Sequence, residues 1–404
     1  MSFDHASFIR DYNVPVERPD TPRPEVRFAR RGEGAARRAL GRLAHRGRRL
    51  AYVDTHFPWR RSGFRYDEAL ALYEARPDTL FFSLWKMTDG FPARVRPLAD
   101  FPRIATSHGV TDVYAVFLDC AAGLLGVPQP GAVQGPPPPT VPPNLSSVLD
   151  RAGIRFHVGL YPGGGLTVSP PRLAQARQVA ERAASVWSWV PQIHDFPHVH
   201  AVPPAIVNPR FYRAVTRDWD AERLRVVFAG DGSQRKGIDV ALAAFDALDD
   251  RFVFDVVGPH EPRRAQLREP DRTTFHGWLD PERLRDVFER AHVFVSPIRT
   301  EPDGLGGEMV DGFPTTTAGS AMASGCLLIA GNPGRDHSVL APGATHLELD
   351  EVTPAALSAA LGRAAADRGW AQRVAEEGAR TVRRHLDVFT AIRSRLEALD
   401  LAPT

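Results

Sequence analysis

Residues 228–237 read FAGDGSQRKG. The apolar run Leu224 to Phe228 leads into this stretch, and Ile238, Ala241, Leu242, Phe245 and Leu248 follow it at helical spacing. The order predicts strand, glycine loop, helix. A loop of this kind turns backbone N–H groups and a helix N-terminus toward one point, which favours an anion. Lys236 adds a compact positive charge suited to a phosphate. The chain has 50 Lys+Arg residues, and only Lys86 and Lys236 are lysine. A surface lysine beside a turn is the other reading of the local pattern, because one glycine loop is a weak signal.

Downstream, the pattern repeats. FVFDVVG (252–258), TTFHG (273–277), HVFVSP (292–297) and CLLIA (326–330) are short, mostly apolar strands. Pro281 to Arg290 is a predicted helix, with Asp280 as N-cap and Pro281 at its first position. Ala318 to Gly325 is a second helix. Short strands alternating with helices predict an α/β fold with doubly wound parallel sheets. Ligands of such sheets sit at the carboxyl ends of the strands. Gly230, Gly258, Gly277 and Pro297 mark those ends.

At 404 residues the chain exceeds one ordinary core and suggests two domains. Hydrophobic and charged contents of 43% and 24% are those of a globular protein. No apolar run approaches the length of a membrane-spanning helix, and the first 20 residues lack the plan of a signal peptide. Cys120 and Cys326 read as reduced, buried thiols, which points to the cytoplasm. A net charge of +2 is too small to argue for a nucleic-acid partner.

Residues 1–47 read as an extension, open at its prolines and basic over 34–49. The basic part is either a solvated surface helix or a peripheral contact with an anionic membrane or lipid-linked acceptor. Arg49 to Asp54 is a strand, His56 to Phe64 its loop, Asp67 to Ala75 a helix and Thr79 to Leu84 the next strand. Pro102 to Gly109 is expected to be a strand ending in His108. The proline-rich stretch 127–143 predicts a stiff extended loop. Ile154 to Tyr161 is a strand, and Gly163, Gly164 and Gly165 after it allow a close approach to the backbone. His194, His198 and His200 have a spacing that could bind zinc, but on a loop entering a strand, so no metal is expected. Asp218-Trp219-Asp220 reads as solvated charge in a linker.

The succession AGDGSQRKG (229–237), VVG (256–258), FHGWLDPERLRDVFERAHVFVSP (275–297), DGFP (311–314) and AMASGCLLIA (321–330) resembles the donor domain of GT-B glycosyltransferases, in particular the retaining family GT4. IVNPRF (206–211) is similar to that family's entry to the interdomain linker. The likeness covers roughly 206–385 well and the N-terminal half loosely. It implies two Rossmann-like domains facing across a cleft, at 48–212 (acceptor) and 213–385 (donor), with 386–404 a helix returning to the first.

The implied reaction is transfer of a hexose-type sugar from a nucleotide-diphosphate sugar to a hydroxyl acceptor, with retention and without a cofactor or metal. The acceptor is left open among a glycan, a lipid-linked group and a small molecule. His108 is implied at the transferred sugar and Asp311 as the catalytic acid near it. Gly63, Gly230, Arg235, Lys236, Gly258, Thr315, Thr316, Thr317 and Ser320 are implied at the donor, and Tyr161 with Gly163 to Gly165 at the cleft or acceptor. Two positions depart from the family. Asp231 stands where many members have a phosphate-clamping arginine, and Ser320 where the ribose-holding glutamate belongs. They keep two rivals alive: a non-catalytic GT-B binding protein and a sugar-nucleotide epimerase.

Overall fold

In the computed structural model, seven short runs rich in β-branched and aromatic residues form the first sheet. They are β1 (Leu50–Phe57), β2 (Leu80–Lys86), β3 (Val95–Pro97), β4 (Asp112–Val116), β5 (Arg155–Gly159), β6 (Ser185–Ser188) and β7 (Val199–Ala201). All pair in parallel, in the order β3-β2-β1-β4-β5-β6-β7. The crossovers include α1 (Phe64–Ala75), α2 (Phe101–His108), α3 (Leu118–Leu125), α4 (Ser146–Arg151) and α5 (Pro170–Arg182). Val53, Phe82, Phe101, Ala115, Val158, Val179 and Val186 share one core. The structure describes residues 47–87, 89–130, 142–309 and 311–401. Most of the basic extension and Pro136 to Pro139 lie outside them.

The second sheet is built from β8 (Leu224–Ala229), β9 (Phe252–Val257), β10 (Thr273–Gly277), β11 (Val293–Ser296), β14 (Leu327–Gly331) and β15 (Leu347–Leu349). Between β11 and β14 the chain makes a two-stranded ladder, β12 (Glu301–Pro302) with β13 (Glu308–Met309). The six-stranded order is β10-β9-β8-β11-β14-β15, again parallel. Its helices include α6 (Ile238–Asp246), α7 (Pro281–Arg290), α8 (Thr316–Ala323), α9 (Pro354–Ala366) and α10 (Arg368–His385). The last helix, α11 (Val388–Ala398), packs on α1 and belongs with the first sheet.

The chain separates into two units. The first unit holds the residues up to Pro204 together with Pro302–Met309 and the chain from Val388. The second holds Ala205–Glu301 and Val310–Asp387. The division falls before residue 212 for a visible reason. The amides of Ile206 and Val207 donate to the carbonyl of Leu386, and Val207 bridges Asp387, so this stretch is tied to the end of α10.

The segment 302–309 is an insertion into the second sheet's sequence that joins the first unit. The Asp303 carboxylate accepts from Thr167 Oγ1 at 2.5 Å and from the amides of Leu305 and Gly307. Gly307 lies so close to Ser169 that a Cβ there would come within 2.4 Å of its Cα.

One expected strand is a helix. Residues 101–108 form α2, opened by proline in its first turn and closed by Gly109 in the left-handed conformation. Phe101, Ile104 and Ala105 face the core at helical spacing, and that periodicity outweighs the short apolar run. The true neighbour of β1 is β4, whose sequence DVYAV is buried throughout.

Candidate functional site

The site grows from the end of β8. In the second sheet β8 lies between β9 and β11, and the strand order reverses between β8 and β11. Loops at the carboxyl ends of those two strands leave a crevice, the usual ligand position in such sheets. Two strand-end glycines shape it. A Cβ on Gly258, whose φ is +124°, would come within 2.0 Å of the Gly230 carbonyl oxygen. A Cβ on Gly230 would lie 3.3 Å from the Lys236 Cβ. Gly237, with φ +71°, precedes α6, and a Cβ there would meet the Pro297 carbonyl oxygen at 2.1 Å. The loop is thereby pressed onto the end of β11, which brings Lys236 to the point where the strand order reverses.

Lys236 and Arg235 end a single turn of 3-10 helix, Gln234–Lys236. Lys236 Nζ donates to Asp311 Oδ2 at 2.7 Å. Arg235 Nε lies 3.4 Å from Asp311, and its other nitrogens are 3.7 Å from Asp231 and 3.8 Å from Glu301. Burial disfavours the Arg235 cation, but the charges of Asp311 and Asp231 outweigh this and raise its pKa. Burial likewise pushes the Asp231 carboxyl up. The Ser233 hydroxyl, Lys236, the Ser233 amide and Arg235 overcome that and hold it below its ordinary value.

Asp231, in the place of an expected arginine, is thus folded back on its own loop and neutralised by it. All the side chains of the cluster are partly exposed, from 19% to 31%. An entering anion can reach the two cations, and it competes with Asp311 for them.

The α8 N-terminus lies just downstream of Asp311. Thr315 is its N-cap, with Oγ1 accepting from the Ala318 amide at 3.3 Å. Thr316 and Thr317 stand half-buried in its first turn. Ser320 is only 4% exposed, so it offers little surface to a ribose.

Residues 223–367 match the family model described as Glycosyl transferases group 1. No curated protein sequence matches the chain. Among solved structures, sucrose-phosphate synthase from Thermosynechococcus elongatus aligns with a TM-score of 0.61 at 18% identity, over 87% of this chain and 98% of its own. HepE of Anabaena, in complex with UDP, aligns with a TM-score of 0.63 at 13% identity, over 87% of this chain and 99% of its own. WaaG, a glycosyltransferase involved in lipopolysaccharide biosynthesis, gives 0.54 at 12% identity, over 86% and 99%. The chain has the GT-B fold.

Other expected site residues lie elsewhere. His108 ends α2, and β4 follows it, so it stands at the amino edge of the first sheet, opposite the edge where ligands gather. Tyr161 is fully buried and cannot line an open acceptor surface. Its ring stacks on Trp189 at 4.0 Å, and its hydroxyl meets Tyr114, Glu68 and Arg395. Gly164 and Gly165 do permit close approach, but by Phe117 and Asp119 of the same unit. Gly163 has open space around it. Gly63, with φ +62°, sits between the turn Arg60–Ser62 and α1, beyond the carboxyl end of β1.

Glu301 is a partner of Arg235 that no local motif marks, and only the chain's return past Arg235 reveals it. Among the described residues no group of three or more His, Cys, Asp or Glu is arranged to hold a metal ion. No helix among them is long and apolar enough to cross a membrane.

Proposed function

We propose that this chain is a glycosyltransferase that moves a hexose-type sugar from a nucleotide-diphosphate sugar to a hydroxyl acceptor, with retention at the anomeric carbon. The observation that carries the reading is the pair of partly exposed cations, Lys236 and Arg235, fixed at the switch point of the second sheet. HepE has been solved with UDP-glucose as well as with UDP, which supports a nucleotide sugar as donor.

In the reaction the bond between the anomeric carbon and the diphosphate oxygen breaks as negative charge collects on the leaving diphosphate, the acceptor oxygen bonds to the same face of that carbon, and the acceptor's hydroxyl proton passes to the departing diphosphate. Lys236, Arg235 and the N-terminus of α6 stabilise that charge as it develops. Asp311, released from the two cations by the phosphates, stands near the sugar as the carboxylate of the site. Thr315, Thr316 and Thr317 add hydroxyl donors at the start of α8. With two fixed cations as countercharge, the reading needs no resident metal. The two buried thiols, Cys120 and Cys326, support a cytoplasmic compartment.

Titration calorimetry with UDP, GDP, ADP and dTDP and their glucose esters tests the donor. At least one binds the wild type, and Lys236→Ala weakens it by about tenfold or more through loss of a charge-assisted contact, with Tm unchanged. The reading fails if no nucleotide binds, or if Lys236→Ala binds as tightly as wild type. Turnover with the nucleotide sugar found this way, followed by the anomeric configuration of the product, tests retention.

A further inference from the structure

At the amino edge of the first sheet there is a pocket of about 330 Å³ that plays no part in the reading above. Its walls come from four places in the chain: Arg49 ahead of β1, Tyr73 and the turn Pro77–Leu80 between α1 and β2, Ala93 to Arg96 entering β3, and His108 at the end of α2. Arg94 and Arg96 flank the buried Val95, and alternation along a strand places them on the same side. The carboxylate on the wall is Asp78, and the fully buried Arg76 grips it at 3.1 Å. The wall thus carries three guanidiniums, those of Arg49, Arg94 and Arg96, and one carboxylate that is already paired.

Local needs explain part of this charge. Arg49 Nη1 donates to the His108 carbonyl at the end of α2. Arg96 on β3, with Arg94 just ahead of it, also guards an edge strand. They do not explain why residues from separate elements line one cavity. Nor do they explain Thr79, a pocket residue 5% exposed whose Oγ1 is buried without a hydrogen-bond partner. A buried hydroxyl with no partner costs stability, and a ligand acceptor would relieve it.

We propose that this pocket binds a phosphate ester, with Arg94 and Arg96 as its charge partners and Thr79 as a hydroxyl donor. The shared chemistry is a tetrahedral anion on an organic group small enough for the cavity. A soluble sugar phosphate and a phospholipid headgroup both present it. The site lies at the opposite edge of the sheet from β1's carboxyl end, so it stands or falls independently of the donor reading.

The test uses the full chain carrying Lys236→Ala, so that phosphate at the donor site does not contribute. Inorganic phosphate and glucose 6-phosphate are titrated calorimetrically. Sedimentation with equimolar phosphatidylglycerol and phosphatidylcholine vesicles, against pure phosphatidylcholine, reads the lipid arm. Adding Arg94→Glu and Arg96→Glu together weakens whichever probe binds by about tenfold or more, and rising salt weakens it in the unsubstituted site. Arg94→Glu alone, at an exposed position, gives a smaller loss in the same direction without risk to the fold. Loss of the soluble probe assigns a sugar phosphate, and loss of vesicle binding with no soluble binding assigns a headgroup. If no probe binds, or if binding survives both substitutions, the site does not exist. In either case UDP binding by the chain with native Lys236 is read separately and reports only on the donor reading.

Discussion

The two sheets share one winding but use it differently. In each, the central strand lies beside its sequence successor on one side, and the order reverses on the other, at β1/β4 and at β8/β11. At the second sheet's switch point the ionic groups are 19% to 31% exposed and share charges loosely. In the first unit, the ionic cluster formed by residues of α1, β4 and α11 is sealed. Arg395 Nη1 donates to Glu68 at 2.9 Å, to Tyr114 at 3.1 Å and to Tyr161 at 2.5 Å, with Arg395 5% and Glu68 0% exposed. Burial raises the Glu68 pKa, although Arg395 and the two phenols pull it down. The same fold therefore yields a structural ion pair in one unit and an accessible pair in the other. Exposure of the charges, rather than fold, separates the two roles.

The largest effect should come from breaking the sealed pair. Arg395→Ala leaves the Glu68 carboxylate buried without its cation, which costs about 3–5 kcal/mol, read as a fall in urea midpoint at unchanged slope. The loss should shrink at mildly acidic pH, where Glu68 takes up a proton. A loss below about 0.5 kcal/mol, typical of a surface site, would dissolve the contrast between the units.

A smaller effect concerns Asp112 at the amino end of β4. Its carboxylate meets Arg48, Arg155 and His157, and Thr111 donates to it at 2.7 Å. Burial raises its pKa, but His157, Arg48 and Thr111 more than reverse this, and the net shift is strongly downward. A depressed folded-state pKa means the stabilisation is complete above about pH 4, the ordinary aspartate range. It is lost as pH falls toward the folded-state value. Asp112→Asn should lower stability at neutral pH and flatten the decline below pH 4. An acid profile parallel to wild type would remove Asp112 from the account. Asp255, held by Arg225 and His276 between β8 and β10, is its counterpart in the second unit.

The smallest effect sharpens the open site. Asp311→Asn removes a carboxylate that competes for Lys236, so UDP should bind a few-fold tighter, on the order of 0.5–1 kcal/mol for a partly exposed pair. Turnover should fall if Asp311 acts at the sugar. Lys236→Ala moves nucleotide affinity the other way, and two substitutions on one ion pair with opposite signs are hard to explain by damage to the fold. Weaker UDP binding in Asp311→Asn would make Asp311 a ligand of the nucleotide instead of a rival for the lysine.

The sequence by itself determined the parallel α/β winding, because four to seven apolar residues between helical repeats can bury both faces of a strand in no other common way. It also determined the loop at 229–237, since glycines at 230 and 237 and the strand before them are local features. Local signals were available and misread at 101–109: the proline in the first turn, the i, i+3, i+4 core residues and the closing Gly109 mark a helix, and that error moved His108 to the wrong edge of the sheet. Other points had no local signal. That Asp231 is held by Ser233 and countered by Lys236 and Arg235, that Glu301 returns to Arg235, that segment 302–309 leaves its own sheet for the first unit, and that Tyr161 is consumed by Glu68 and Arg395 all depend on residues distant in the chain or on how a turn closes. A side chain's charge is written in the sequence. Whether that charge is buried with a partner or left within reach of a ligand is decided by packing, and only the tertiary structure supplies it.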